Sequence, residues 1–415
     1  MKWLRRNALR LVILAAAAAC AFPWADYLPM GTKVPPAWVK AVLPRLSPLL
    51  NLFGALAARE WVGWTLLLGV PLLVLSFFRG RVFCWKFCPM GFLAETAGLL
   101  NPRGRKIIRR VPRLNKALAL VIVVTAACGY PLAIWLDPLC IFNGFFAAWR
   151  TPLAMTAGVT GIGFVAILLL SVLMPNVWCH RLCPLGGLQE ALMEAGRKLL
   201  SRGADEDAPK VMGGSMTRRA VLAAAAATAG VAAGRTMGAN AARAIRPPGA
   251  DLTRFNALCA RCGNCMAACT YKLIVPDFGE TGVDGLFTPV LHLRSRRVAT
   301  DPDFDSYCFH DCVKCTEVCP TGALRPLTLD QKHAMPIGIA VIDRSKCLAW
   351  AKNEYCAVCD EYCPYKAVKL ERKGDVSYPI IDAALCRGCG SCEAGCPAEP
   401  IAVVVRPLKV EEMKR

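Results

Sequence analysis

Sixteen of the 23 cysteines in this 415-residue chain lie in four groups of four within its second half. The first and fourth groups share the spacing C-x2-C-x2-C-x3-C, the second opens with three intervening residues, and the third opens with eight. Thiolates at this spacing are ligands of cubane [4Fe–4S] clusters, and a fourfold repeat makes a chance match implausible. We call them the first to fourth quartets: Cys259, Cys262, Cys265 and Cys269; Cys308, Cys312, Cys315 and Cys319; Cys347, Cys356, Cys359 and Cys363; Cys386, Cys389, Cys392 and Cys396.

The spacing within a quartet has a geometric basis. Two-residue gaps let a tight loop direct three thiolates to three irons of one cube, while the fourth cysteine commonly ligates a partner cube. Each cube binds four thiolates, so the sixteen cysteines predict four [4Fe–4S] clusters. Because the fourth cysteine serves a partner cube, the quartets are expected to act in pairs. Spacing alone leaves open whether the first quartet pairs with the second or the fourth. The long insert at 270–307 favours a nested arrangement, first with fourth.

Zinc and disulfide bonds are weaker explanations of the same cysteines. Structural zinc usually takes two cysteine pairs separated by a dozen or more residues, rather than several cysteines in one short run. Disulfides are disfavoured because so many closely spaced thiols would exchange partners in an oxidising compartment. The quartets are therefore predicted to bind iron–sulfur clusters.

Two further cysteine pairs lie in the first half, each in the motif C-x3-C-P. Cys84 and Cys88 form the first pair, Cys179 and Cys183 form the second, and each motif is followed by glycine. Four thiols at equivalent positions could meet to bind one further cluster, form redox-active disulfides or contact a quinone, and the pattern leaves these uses open. The remaining cysteines stand alone in apolar sequence and are interpreted as packing residues: Cys20, Cys128 and Cys140.

Apolar stretches surround these two pairs. Residues 61–78, 117–136 and 154–175 carry no charge and are 18 to 22 residues long, enough to cross a hydrocarbon core about 30 Å thick. A shorter stretch, 11–25, follows a basic start and resembles either a further span or a signal peptide. We therefore expect a membrane α-helical module with four spans.

The charge of the chain supports this topology. Lysine and arginine outnumber aspartate and glutamate by 50 to 30, and residues 79–116 hold ten basic residues against one acid, Glu95. By the positive-inside rule, this loop faces the cytoplasm. Nucleic-acid binding is disfavoured because the positive charge flanks the apolar stretches instead of lining one soluble face.

A polar linker follows the first half and leads to the adjacent Arg218 and Arg219, before an alanine-rich run at 220–234. This segment resembles a twin-arginine export signal and predicts a fifth crossing, which would place the second half in the periplasm. An ordinary alanine-rich helix is the alternative, and it would leave that half in the cytoplasm. The expected domains are a membrane module, a linker with the export-like segment and a four-cluster domain, at 1–200, 201–249 and 250–415.

Composition excludes two other classes of protein. The hydrophobic share of 55% excludes a disordered chain, and the absence of C-x-x-C-H excludes a c-type cytochrome. Short β-prone segments at 338–343 and 401–405 predict the hairpins of an α+β polyferredoxin domain. The segment 319–324 is expected to form a short helix behind Cys319.

The two halves resemble two families. The first half, with its apolar stretches and paired C-x3-C-P motifs, resembles the NapH and MauN membrane ferredoxin-type proteins. The second half, with its four quartets and the stretch CLAW…EYCAVCDEYCPYKA, resembles the NapG and MauM periplasmic ferredoxins. The resemblance implies a fusion of two quinol dehydrogenase components that are usually separate proteins. The chain departs from it by lacking extra quartets in its first half and by having Thr270 where proline is common.

We expect an iron–sulfur electron-transfer protein of the bacterial inner membrane. Its donor would be the quinol pool, its relay four [4Fe–4S] clusters, and its acceptor a soluble periplasmic oxidoreductase or cytochrome. No catalytic residue is predicted, and Tyr130, Trp135 and Asp137 are weak candidates for a quinone site. A redox-sensing or maturation protein for a periplasmic metalloenzyme is the alternative. The sequence leaves the terminal partner and the oligomeric state open.

Overall fold

The computed structural model describes residues 2–22, 24, 37–59, 65–101, 111–131, 133–147, 149, 156–200, 243–293 and 307–408. The chain divides into two compact units. The first unit comprises Met1–Thr236, Ala257–Asn264 and Pro320–Ala323; the second comprises Met237–Asn256, Cys265–Cys319 and Leu324–Arg415. The loop that carries Cys259 and Cys262 therefore belongs to the first unit.

The N-terminal half is helical wherever the structure describes regular elements. A 3-10 turn, Ile134–Leu136, precedes the eighth helix, and a π-helical turn, Trp178–Leu182, precedes the tenth. The helices are α1 (Lys2–Ala21), α2 (Ala37–Arg45), α3 (Pro48–Ala58), α4 (Thr65–Arg79), α5 (Val82–Lys86), α6 (Pro89–Gly98), α7 (Asn115–Ala127), α8 (Pro138–Ala147), α9 (Thr156–Leu173) and α10 (Pro184–Leu200).

Glycines bring several of these helices close together. A Cβ at Gly187 in α10 would overlap the backbone carbonyl of Asn115 at the start of α7. Another at Gly196 would overlap the carbonyl of Phe77 in α4. Because Cys183 directly precedes α10, the close packing of α10 against α7 and α4 determines where the second C-x3-C-P motif lies.

The prediction of four membrane spans is wrong. Within the described ranges, no helix is both long and apolar enough to cross a membrane. The stretch 61–78 yields α4, with 15 residues, and 117–136 yields α7, with 13 residues and an end at the turn of Cys128 and Gly129. At 1.5 Å per residue these helices rise only about 20–23 Å, against a hydrocarbon core about 30 Å thick.

The other two predicted spans correspond to α9 and α1. Helix α9, from the stretch 154–175, has 18 residues, equivalent to about 27 Å. Helix α1 has 20 residues and includes most of 11–25, but four basic side chains in its first half make it too polar. Arg218, Arg219 and the crossing predicted at 220–234 lie outside the described residues.

The second half combines short helices with short strands, which confirms the α+β expectation for this part. Its described strands form antiparallel pairs, β1 with β2, β3 with β6 and β4 with β5. The elements are α11 (Phe255–Leu258), α12 (Asn264–Ala268), β1 (Ile274–Pro276), β2 (Pro289–Leu291), α13 (Lys314–Glu317), α14 (Leu329–Ala334), β3 (Ile339–Ile342), α15 (Leu348–Lys352), α16 (Val358–Glu361), β4 (Val368–Lys373), β5 (Val376–Ile381), α17 (Ser391–Gly395) and β6 (Val403–Arg406).

The segment predicted at 338–343 contains β3 and that at 401–405 overlaps β6; instead of forming local hairpins, the two strands pair with each other, with Ile339 opposite Arg406. The helix expected at 319–324 is not formed, and these residues are bends that end in a bridge between Leu324 and Ala250. A bridge at Leu324 needs extended backbone, so a helix beginning behind Cys319 has no room to propagate.

Arg246 holds the insert between the first two quartets in a folded form. Its guanidinium is buried and donates to Thr288 Oγ1 at 2.8 Å, Thr281 Oγ1 at 3.0 Å and Asn256 Oδ1 at 3.0 Å. The same guanidinium lies 4.9 Å from the centre of the Phe255 ring. A buried charge requires this many partners, so Arg246 fixes the β1–β2 hairpin against residues 246–256.

Asp137 caps helix α8 from a fully buried position. Its Oδ1 accepts the backbone N–H groups of Leu139 at 2.9 Å and Cys140 at 3.2 Å, and its Oδ2 accepts the Ser47 hydroxyl at 2.5 Å. Burial raises the pKa of Asp137 to about 6, although these three hydrogen bonds favour the carboxylate. The folded state thus binds a proton that an unfolded aspartate would already have lost.

This raised pKa predicts that stability falls as the pH rises from 5 to 7. Over that range the folded state loses its proton from Asp137 while the unfolded chain has none to lose, which costs about 1.4 kcal/mol. In Asp137→Asn the cap acceptor remains but the titration is removed, so we expect a flatter dependence of the unfolding temperature on pH. Asp343→Asn is the matched control, because the pKa of exposed Asp343 is lowered to about 2 by Lys346. Equal slopes for wild type and Asp137→Asn would contradict the assignment.

Candidate metal centres

The two C-x3-C-P motifs share one local structure. Cys88 is the N-cap of α6, its Sγ accepts the backbone N–H of Gly91 at 3.3 Å, and Pro89 occupies the first helical position. Cys183 directly precedes α10 and accepts the backbone N–H of Gly186 in the same way. Proline suits the first helical position because no intrahelical partner is lost there. The Cys–Pro sequence thus places the second thiol of each motif at the start of a helix.

The glycine that follows each motif is needed because the backbone carbonyl of the motif's first cysteine packs against it. A Cβ at Gly91 would lie 2.8 Å from the backbone carbonyl oxygen of Cys84, and one at Gly186 would lie 3.0 Å from that of Cys179. The approach at Gly91 is closer than side chains allow, and at Gly186 the Cys179 carbonyl would have to shift to admit a methyl group. The glycines allow the two cysteines of each motif to fold back over the helix start.

The four thiols of the two motifs come together, as the repeat suggested they could. Burial raises the pKa of Cys88, and the neighbouring thiols of Cys84, Cys179 and Cys183 raise it further. Burial followed by the Cys179 thiol raises the pKa of Cys84 to about 12. Burial followed by the Cys183 thiol likewise raises that of Cys179 to about 12. We call Cys84, Cys88, Cys179 and Cys183 the N-terminal tetrad.

One guanidinium supplies positive charge beside the tetrad. Arg81 donates through Nη1 to the carbonyl of Cys179 at 2.7 Å, and its Nη2 lies 2.8 Å from Glu190 Oε1. Its charge lowers the pKa of the Cys84 and Cys179 thiols against the larger effect of burial. A single arginine cannot support four thiolates in a dry site, whereas bound iron can, because metal coordination deprotonates cysteine.

In the second half, cysteines of the first and second quartets lie close together. Burial raises the pKa of Cys315, and the thiols of Cys308, Cys269 and Cys312 raise it further. Cys269 is the fourth cysteine of the first quartet, while the other three open the second. This is the crossed arrangement in which a fourth cysteine serves the partner cube.

The third and fourth quartets cross in the same way. After burial, the thiols that raise the pKa of Cys359 are those of Cys356, Cys347 and Cys396. Those that act on Cys392 are, in decreasing order, Cys389 and Cys386 of its own quartet, then Cys359 and Cys363 of the third. We call the crossed groups A, B and C: Cys269, Cys308, Cys312 and Cys315; Cys347, Cys356, Cys359 and Cys396; Cys363, Cys386, Cys389 and Cys392.

The nested pairing favoured by the long insert is therefore wrong. The insert folds back on itself through β1 and β2, with Ile274 opposite Leu291, and Arg246 secures this hairpin. The hairpin returns the described part of the insert, 270–293, towards its start, and Cys269 lies beside the second quartet.

Backbone N–H groups point at several quartet sulfurs. Leu324 donates to Cys319 Sγ at 3.4 Å, Ala340 to Cys386 Sγ at 3.4 Å, and Ala367 to Cys363 Sγ at 3.3 Å. Hydrogen bonds of this kind stabilise negative charge on sulfur and help set the potential of a bound cluster. The strand β3 and the loops behind the fourth cysteines supply these donors.

Sequence reasoning missed Lys332, which lies beside group A. This lysine is only 5% exposed, and its Nζ donates to the carbonyls of Phe309 and of Cys312, the latter at 2.7 Å. Its charge partly offsets the effect of burial on Cys308, whose pKa is raised to about 11. A signal was available, since the capping box of Thr328 and Gln331 starts the short helix α14 that carries Lys332.

A second missed residue, Cys140, contacts the first quartet. The side chains of Cys140 and Cys262 are hydrogen bonded, and this bond is the main cause of the lowered pKa of Cys262. On the same helix, Asn143 Nδ2 donates to the carbonyl of Cys262 at 2.8 Å and to Asn264 Oδ1 at 2.6 Å. Helix α8 therefore binds the loop of Cys259 and Cys262, which belongs to the first unit.

These arrangements have the donor set of a [4Fe–4S] cluster. Among the residues that the structure describes, no three histidine, cysteine, aspartate or glutamate side chains converge closely enough to hold a single metal ion. A cube spreads its thiolates over four irons, so its ligand sulfurs lie farther apart than the ligands of one ion. The tetrad and groups A, B and C each offer four cysteines, which fit this requirement. Of the weak quinone candidates, Asp137 and Tyr130 are buried and Trp135 is 44% exposed.

The glycine contacts yield a prediction for the tetrad. In Gly91→Ala or Gly186→Ala, the new methyl group pushes the first cysteine of that motif out of place. We expect unfolding to become easier by about 1–3 kcal/mol, with loss of about four iron atoms per chain. Thermal unfolding and iron analysis of the anaerobically purified protein would measure both effects. Gly163→Ala is the control, because its Cβ would meet nothing closer than Ile141 at 3.6 Å; an iron content equal to wild type in both motif variants would contradict the prediction.

Comparison with known protein families identifies the motif type. Residues 61–110 and 156–203 each match the family model described as a 4Fe-4S binding domain. The first match contains Cys84 and Cys88, and the second contains Cys179 and Cys183. The twofold match supports more than one [4Fe–4S] cluster in this chain. No solved structure matches it.

Several curated proteins are similar to this chain over much of their length. The methylamine utilization ferredoxin-type protein MauM of Methylobacillus flagellatus is 31% identical, over 48% of this chain and 84% of its own. MauM of Paracoccus denitrificans is 33% identical, over 52% of this chain and 92% of its own. The ferredoxin-type protein NapG of Escherichia coli is 31% identical, over 40% of this chain and 71% of its own. With such coverage at this identity, the chain belongs to the MauM and NapG family of ferredoxin-type iron–sulfur proteins.

Proposed function

We propose that this protein takes electrons from quinol and delivers them to a periplasmic redox partner through four [4Fe–4S] clusters held by the sixteen quartet cysteines. The observation that carries the proposal is the contact between the crossed groups. The backbone N–H of Cys308 in group A donates to the carbonyl of Cys389 in group C at 2.8 Å. The two thiols are also close enough to interact electrostatically. Clusters of this kind supply one-electron transfer when bound.

The crossed ligand sets support a relay better than isolated centres. Group B contains Cys396 of the fourth quartet, and group C contains Cys363 of the third, so B and C are held by the same two loops. Group A meets group C at Cys308 and Cys389. Ligands shared between loops keep neighbouring sites at fixed separations, which a chain of one-electron carriers requires.

The N-terminal tetrad is proposed to hold a further [4Fe–4S] cluster. It has four convergent thiols, a nearby guanidinium from Arg81, and sulfur-directed backbone N–H groups from Gly91 and Gly186. Both of its motifs lie in stretches that match a 4Fe-4S binding domain. Redox-active disulfides fit less well, because a disulfide needs only two thiols and each thiol here is close to more than one other.

The same proposal includes the union of two components in one chain. The similarity to MauM of Methylobacillus flagellatus covers 48% of this chain, which leaves room for a second component. The paired C-x3-C-P motifs of the first half support a NapH- or MauN-type partner as that component. A quinol donates two electrons and each cluster accepts one, so such a unit would separate the pair and release the quinol protons.

The acceptor is proposed to be a soluble periplasmic oxidoreductase or cytochrome. The names of the relatives refer to methylamine utilization for MauM, and they do not specify a common acceptor. The chemistry of the site requires only that the acceptor take one electron at a time.

Iron analysis and quinol titration of the anaerobically purified chain would test the cofactor content and the donor together. Five cubes contain about twenty iron atoms, and four contain about sixteen. We expect the higher count, a loss of about four irons in Cys84→Ser with Cys179→Ser, and bleaching of the visible cluster absorbance on addition of a reduced short-chain quinone.

Cys20→Ala serves as the control for cysteine substitution, because Cys20 lies outside the tetrad and the quartets. A wild-type count that stays the same in the double variant would remove the cluster from the tetrad. Fully loaded protein that no quinol reduces would contradict the proposed donor and favour a redox-sensing or maturation role.

The location of the second half is part of the proposal and needs its own test. A tag after Arg415 should be digested by protease in intact spheroplasts if the quartets face the periplasm. Replacing Arg218 and Arg219 by lysine should protect the tag, since a twin-arginine signal would be lost. Protection of the wild-type tag until lysis would contradict the periplasmic placement.

A further inference from the structure

Lys332 is a buried cation beside the second quartet. It is only 5% exposed, and it is the only buried lysine among the residues that the structure describes. Its Nζ donates to the backbone carbonyl of Cys312 at 2.7 Å and to that of Phe309. Both carbonyls belong to the loop that carries Cys308, Cys312 and Cys315. The ammonium therefore lies against the loop that supplies three of the four cysteines of group A.

Helix α14 fixes the position of this lysine from two sides. The capping box of Thr328 and Gln331 starts the helix. His333 Nε2 donates to the carbonyl of His310, in the same loop of group A, at 3.1 Å. Arg387, in the loop that supplies three cysteines of group C, donates through Nε to the carbonyl of His333 at 2.5 Å. The helix is thus anchored to the loops of both groups before any cluster binds.

The surroundings of Lys332 suit a charged side chain that faces a cluster. Both of its hydrogen-bond partners are uncharged carbonyls, whereas a buried cation is stabilised by an anionic partner. Four thiolates around a cluster carry net negative charge. Burial raises the pKa of Cys308 to about 11, and the charge of Lys332 opposes that rise, as it does for Cys315. A cluster at group A would therefore supply the anion that the carbonyls do not.

We propose that Lys332 is a positioning residue whose buried ammonium raises the reduction potential of the cluster at group A. One-electron reduction adds one negative charge to that site. A fixed cation stabilises the reduced form more than the oxidised form, because the Coulomb attraction grows with the charge it faces. Lys332 keeps its protons throughout, so the step moves only the electron. Electrons are therefore held at group A in preference to a site without a buried ammonium.

This inference rests on the proposed function, since it requires a cluster at group A. It differs from a ligand role, because an ammonium has no lone pair with which to bind iron. It also differs from a purely structural role, because a neutral side chain that satisfied the two carbonyls would hold the loop as well. A variant that keeps N–H donors and loses the charge separates the two roles.

Redox titration monitored by electron paramagnetic resonance would test it on the purified, fully loaded chain. In Lys332→Gln, N–H donors remain but the charge is lost. We expect one cluster to become about tenfold harder to reduce, equivalent to about 59 mV for one electron, with the iron content unchanged. In Lys332→Arg the charge remains, so the potential should stay close to the wild-type value. The affected signal should be the one that disappears in Cys315→Ala.

Two control variants separate the effect of charge from that of stability. Thr328→Ala removes the side-chain cap of α14 and makes unfolding easier, but it leaves the ammonium in the chain, so the potential should not move. Lys373→Gln removes an exposed lysine at the end of β4, where water screens the charge, and should leave all potentials at their wild-type values.

Three results would overturn the inference while leaving the proposed function intact. Unchanged potentials in Lys332→Gln would show that the lysine only holds the loop. An equal fall in Lys332→Arg, or in Thr328→Ala, would show that the fit of α14 and not the charge sets the potential. Loss of about four irons in Lys332→Gln, with retention in Lys373→Gln, would make Lys332 a requirement for cluster assembly. Wild-type protein that lacks the signal removed by Cys315→Ala would instead overturn the assignment of a cluster to group A, and the inference with it.

Discussion

The rest of this structure depends on groups of neighbouring buried thiols, each of which resists losing its proton. In the tetrad and in the crossed groups, burial and the neighbouring thiols together raise the pKa values of Cys84, Cys88, Cys315 and Cys392. Thiolates collected in this way repel one another and lack water. Bound iron offsets the repulsion between the thiolates and replaces water as the partner of each sulfur. The folded arrangement of the cysteines and the binding of clusters therefore stabilise each other.

The secondary structure of the quartet region is consistent with that dependence. Its described strands pair only two by two, and isolated two-stranded hairpins are at best marginally stable. The crossed groups link loops that are distant in sequence, as when Cys396 joins the third quartet and Cys269 joins the second. Metal–thiolate bonds between such loops would supply cross-links that the small sheets do not.

In the N-terminal half, the helices pack closely at glycines, and no helix among the described residues is long and apolar enough to cross a membrane. Apolar sequence serves a buried core as well as it serves a bilayer, and hydropathy alone does not distinguish the two. The helices stop within the apolar stretches, for example at Gly129, and buried polar groups such as Asn115 and Asp137 hold them together. Close contacts at Gly187 then bring α10, and Cys183 before it, to the tetrad.

The sequence by itself determined the ligand residues proposed for each quartet, the repeated C-x3-C-P motifs and the strand-forming segments near 338–343 and 401–405. These features are local, since each depends on spacing within a few residues. Tertiary structure decided the partner of each quartet, the lengths of the apolar helices, and the roles of Lys332 and Cys140. Each of these depends on contacts between segments far apart in the chain, and no local spacing encodes which distant backbone or thiol a buried group will meet.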